Sequence, residues 1–148
     1  MYRISVPVTN WFPNRTLDRE ATLAELRMVG ATRVWLCSAR GIEGETRLAE
    51  EERLLIENRA FFEQSGLEVG VWICSLGHGG ALIQDDPDAL RNAGKYRRMV
   101  GMNGTTCDDT FCPSDEAFVR DYADWVGRIA STAAKLILLD DDYRLCAR

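Results

Sequence analysis

Three consecutive carboxylates, Asp140-Asp141-Asp142, follow directly on the apolar run Leu136-Ile137-Leu138-Leu139. Carboxylates crowded at the mouth of a buried strand repel one another, so a proton, a cation or a hydrogen-bond donor must offset their charge. In an extended chain alternate side chains share a face, which pairs Asp140 with Asp142. Such a pair suits a nucleophile or base beside a group that binds substrate hydroxyls. The plainer reading is a turn cap, or an ion pair with Arg144. The single histidine, His78, lies in Gly77-His78-Gly79-Gly80, where flanking glycines let backbone approach a ligand and free the imidazole to point into a basin; a surface loop accommodates it equally well. Trp11, next to Asn10, offers a flat apolar face of the kind that stacks on a sugar ring. Cys107 and Cys112, with His78, lack the paired spacing of structural zinc sites, and a folded loop with a buried thiol is the preferred reading. No cofactor is implied.

These residues need elements to hold them at one place. The strand phrase Val34-Trp35-Leu36-Cys37-Ser38 is echoed by Val71-Trp72-Ile73-Cys74-Ser75, and each follows a helical pattern that closes on a glycine. Tyr2 to Val8 alternates as a first strand, and Asn10-Trp11-Phe12-Pro13-Asn14 breaks it. Asp18 is the expected N-cap of a helix carrying Leu23, Leu26 and Val29 on one face, stopped by Gly30. A second strand runs from Thr32 to Ser38. A helix from about Leu48 to Ser65 follows, with Leu54, Leu55, Phe61 and Phe62 inward, Glu50, Glu51, Glu52 and Glu57 outward, and Gly66 at its end. The third strand is Leu67 to Ser75. Leu76 to Pro113 reads as irregular, with a short helical turn around Asp86 to Asn92. A third helix, capped by Ser114, carries the stripe Phe118, Tyr122, Trp125 and Ile129, and the fourth strand is Lys135 to Leu139.

Strands alternating with helices predict right-handed βαβ crossovers and a parallel sheet. The expected fold class is therefore α/β, built of parallel βαβ units as half of a TIM barrel with four strands and three helices. Residues 1–148 would form a single domain, the N-terminal part of a larger (β/α)8 barrel. The alternative is a small doubly wound sheet, disfavoured because no glycine-rich phosphate loop follows the first strand. Trp35 and Trp72 are expected to pack outward under helices. In parallel folds ligands meet the carboxyl ends of the strands. That rule collects Asn10, Trp11, Arg40, His78, Tyr143 and Arg144 as candidate substrate contacts around Asp140, Asp141 and Asp142.

Composition bounds the partners. In 148 residues the formal charge is −5 and 46% of the chain is apolar, which suits a globular core and argues against nucleic-acid binding as the main task. The short basic cluster Lys95, Arg97 and Arg98 reads as a solvated loop edge in preference to a phosphate contact. No apolar run is long enough for a membrane span and no signal segment is evident, so a cytoplasmic location is expected. Five cysteines, two of them inside strand runs, fit a reducing compartment.

The stretch Gly101 to Phe118 (GMNGTTCDDTFCPSDEAF), then a helix, then Leu136 to Arg144 with its acidic triplet, resembles the middle of glycoside-hydrolase-like TIM barrels. In those proteins a loop similar to Cys-Pro-Ser-Asp-x-x-Phe precedes the third helix and the fourth strand ends in an acidic cluster. The resemblance implies a carbohydrate ligand and Asp140, Asp141 and Asp142 as catalytic carboxylates, one serving as nucleophile. It also implies a second carboxylate from a later strand, since glycoside hydrolysis needs two across the scissile bond. Two further readings remain open on the residues alone. One is a divalent-metal-dependent sugar isomerase or aldolase barrel in which His78 and an aspartate hold the cation. The other is a non-catalytic half barrel, completed by a missing C-terminal half or by homodimerisation.

Overall fold

The computed structural model describes residues 2–10, 16–37, 45–73 and 94–139. These carry β1 (Ser5–Thr9), α1 (Arg19–Met28), β2 (Arg33–Cys37), α2 (Glu45–Gln64), β3 (Glu68–Ile73), β4 (Arg98–Val100), β5 (Thr106–Phe111), α3 (Glu116–Ser131) and β6 (Ile137–Leu139). The chain divides into two compact units. The first comprises 1–38, 49–73 and 128–138, the second 39–48, 74–127 and 139–148.

The first unit is built on a parallel four-stranded sheet in the order β1-β2-β3-β6. Strand order follows chain order without reversal. Register sets the two faces. Val6 pairs with Val34 and Val34 with Val69, while Val8 pairs with Leu36 and Leu36 with Val71. Val34, Leu36, Val69, Val71 and Ile73 are all buried on this face.

Among the described residues, the helical segments of this unit, α1, α2 and the last turn of α3, are linked on one side of that sheet. Asn10 continues the Val6, Val8 alternation and bonds to Glu51 and Asn58 of α2. α1 is tied to α2 by Arg19 and Glu57 at 2.8 Å, and the last turn of α3 to α2 by Arg128 and Glu52 at 3.0 Å. Leu23 and Leu26 of α1 and Leu54, Leu55 and Phe62 of α2 supply the buried helical side of the core.

The opposite face carries Ser5, Pro7 and Thr9, all exposed, with Arg33, Trp35, Cys37 and Trp72 half-buried. Trp35 and Trp72 thus lie on the side away from the helices, contrary to the expectation from sequence. The reason is parity: each sits between residues whose side chains fill the core. Trp35 lies across Gly70, its partner in register, where a β-carbon would overlap the indole ring. Beside this pair Arg33 and Glu68, also opposite in register, form an ion pair at 2.7 Å. Pro7 is tolerated because, among the described residues, β1 is at the edge of the sheet. Arg33 N–H donates to the Ile4 carbonyl and Asn10 N–H to the Cys37 carbonyl, so even-numbered residues face β2 and position 7 points outward, where no ladder donor is needed.

Two helices end as their glycines predict. Gly30 and Gly66 have φ of 66° and 87°. After α1, Gly30 N–H donates to the Arg27 carbonyl and Ala31 N–H to that of Leu26; after α2, Gly66 N–H donates to Glu63 and Leu67 N–H to Phe62. This double bond pattern satisfies the last helical carbonyls and requires a left-handed residue. The Asp18 carboxylate caps α1 as expected, accepting from Ala21 N–H at 3.0 Å.

The second unit corrects the reading of Leu76 to Pro113 as irregular. Within it β4 and β5 form an antiparallel hairpin, closed by Gly104 N–H donating to the Gly101 carbonyl, Gly101 N–H to that of Thr105, and Thr105 N–H to Asn103 Oδ1. The helical turn expected around Asp86 to Asn92 lies outside the described residues. Strand signals were hidden because β4 is three residues long and β5, Thr-Cys-Asp-Asp-Thr-Phe, has little apolar alternation. The core here is aromatic. Tyr96, Phe111 and Phe118 are buried together, with ring centroids 5.0–5.4 Å apart, and Tyr122 stacks on Phe118 at 5.7 Å. Asp115 caps α3, in place of the expected Ser114. Its Oδ1 accepts from Phe118 N–H at 2.9 Å and its Oδ2 from Arg97 N–H at 3.0 Å.

Candidate functional site

In a parallel sheet every strand ends on the same edge, and β1, β2, β3 and β6 end there at Thr9, Cys37, Ile73 and Leu139. The next residues in the sequence are Asn10, Ser38, Cys74 and Asp140. Trp11, Arg40, His78, Asp140, Asp141, Asp142, Tyr143 and Arg144 lie outside the described residues. Asn10 is described, and its surroundings define what it does.

Asn10 is 1% exposed. Its Oδ1 accepts from Asn58 Nδ2 at 2.8 Å, its Nδ2 donates to the Glu51 carbonyl at 3.4 Å, and its own N–H donates to the Cys37 carbonyl at 3.0 Å. The side chain points between sheet and helices. It therefore ties the end of β1 to β2 and to α2 from within, and its amide is committed to those bonds. A buried amide left without partners carries a large desolvation penalty, so this small network fixes where β1 stops.

Two of its members escaped the sequence reading. Glu51 was assigned to the wet side of α2, yet it is 3% exposed, and Asn58 is 1% exposed. The buried stripe of α2 is Glu51, Leu54, Leu55, Asn58 and Phe62, at the i, i+3, i+4, i+7, i+11 spacing of one helical face. That spacing was legible; the polar identity of two members masked it. Phe61, expected within the stripe, is half-buried at its border and meets Phe62 edge-on at 5.2 Å. On the outer surface of α2, hydrogen bonds from Arg53 and then Arg19 hold the Glu57 carboxyl below its usual range.

Arg97 and Arg98 of the basic cluster are engaged with their own unit. Arg97 Nε reaches Asp115 Oδ2 at 3.2 Å and its Nη2 donates to the Ser114 carbonyl at 2.9 Å. Arg98 lies 4.5 Å over the ring of Phe111. The Phe118 and Arg97 backbone N–H groups, then the Arg97 guanidinium, bring the Asp115 carboxyl down to about 2. Burial, and then its bond to Asp121 at 2.9 Å, raise the Tyr96 phenol. Asp115 and Tyr96 thus act as a helix cap and an aromatic anchor. Cys107 and Cys112 are half-buried, and the described residues contain no group of three or more His, Cys, Asp or Glu placed to hold a metal ion. Among the described residues no helix is long and apolar enough to cross a membrane.

Comparison with protein-family models matches none of them, and comparison with curated proteins finds no match either. Fold geometry and residue chemistry carry the functional reading.

Proposed function

We propose that this chain binds a carbohydrate beyond the carboxyl edge of its parallel sheet, in the manner of the glycoside-hydrolase-like barrels its sequence resembles. The observation that supports the reading is the position of β6. This strand joins the sheet beside β3, with Val71 N–H donating to the Leu136 carbonyl at 2.9 Å, and ends at Leu139, one residue before the acidic triplet. Asp140, Asp141 and Asp142 then accept sugar hydroxyls, and Asp140 is the candidate nucleophile toward an anomeric carbon, with Trp11 as stacking platform and Arg40, His78, Tyr143 and Arg144 as hydroxyl contacts. Hydrolysis by this route needs a second carboxylate as proton donor to the leaving oxygen. Binding is the more basic activity, and hydrolysis requires that partner group.

The test is calorimetric titration with glucose, xylose and galactose, beside an assay on the matching aryl glycosides. The proposal expects binding of at least one sugar, weakened about tenfold or more in the triple variant Asp140→Asn, Asp141→Asn, Asp142→Asn, since hydrogen bonds to charged groups contribute about 1.5–3 kcal/mol each. Sugar binding unchanged in that variant, or no binding by the parent chain, removes the proposal. Aldose–ketose interconversion or carbon–carbon cleavage of the free sugars, appearing only with added Mg²⁺ or Mn²⁺, would favour the metal-dependent isomerase or aldolase reading instead.

A further inference from the structure

We draw no further inference here: the strongest candidate, the half-exposed face of the parallel sheet that carries Trp35, Cys37 and Trp72 opposite the helices, carries none because nothing in the structure shows what covers it.

Discussion

The two units solve the same packing problem with different material. The first joins strands that are distant in sequence, so its core is a lattice of Val, Leu and Ile set by register and closed by helices on one side. The second joins neighbours: a hairpin and the start of a helix that follows at once, held by a few large rings and one carboxylate cap. Aliphatic side chains in a parallel sheet are numerous and individually replaceable. Three aromatic rings cannot share out a loss in the same way. Single substitutions should therefore hurt the second unit more sharply per residue, and the first mainly where register forces a close approach.

The largest effect is expected at the rings. Phe111→Ala should cost about 3–5 kcal/mol, as full truncation of a buried aromatic does, against about 2–5 kcal/mol for Leu36→Ala in the first unit. Urea unfolding of both variants measures this. A smaller loss for Phe111→Ala than for Leu36→Ala would break the contrast. Next is Gly70→Ala, which drives a methyl into the Trp35 ring and should cost about 1–3 kcal/mol. The same change in a Trp35→Ala background should be close to neutral, because the two sites share one contact. Additive losses in that double-mutant cycle would show that the indole does not rest on position 70.

How much of this was legible depended on periodicity and parity. Among the described residues, the four parallel strands, three helices, the Asp18 cap and both glycine stops follow from β-branched runs, helical spacing and capping residues, all local signals. The hairpin was not legible, since Arg98–Val100 is short and Thr106–Phe111 places two aspartates in a strand. The face of Trp35 was misread because tryptophan size suggests a core residue, whereas its position between Val34 and Leu36 decides the matter. Glu51 was misread for the converse reason: its charge suggested solvent, while its helical position puts it beside Asn10 and Asn58. Asp115 took the cap from Ser114 because it also captures Arg97, which a single-residue preference does not reveal.

The buried amide network sharpens the comparison on its polar side. Asn58→Leu removes the donor to Asn10 Oδ1 and should cost about 1–3 kcal/mol, the penalty of an orphaned buried acceptor. Chemical denaturation that shows no loss would mean that Asn10 finds another donor. In the second unit the matching polar element is Asp115, and its effect depends on pH. Because its folded value, about 2, lies below the ordinary 3.8, its contribution is complete above about pH 4 and fades as pH falls toward 2. Asp115→Ala should lower the melting temperature by several degrees at neutral pH, with the gap to the parent narrowing across that acid window. A gap that stays constant from pH 7 to pH 2 would show that the cap's charge contributes nothing.

The central claim is that function sits at the carboxyl edge of the parallel sheet, and amide NMR during titration with glucose, xylose and galactose tests it most directly. The account predicts concentration-dependent shifts at Asn10, Cys37, Ile73 and Leu139, the residues at the carboxyl ends of β1, β2, β3 and β6. Shifts confined to Ser5, Arg33 and Glu68 at the amino ends, or absent throughout, would contradict it.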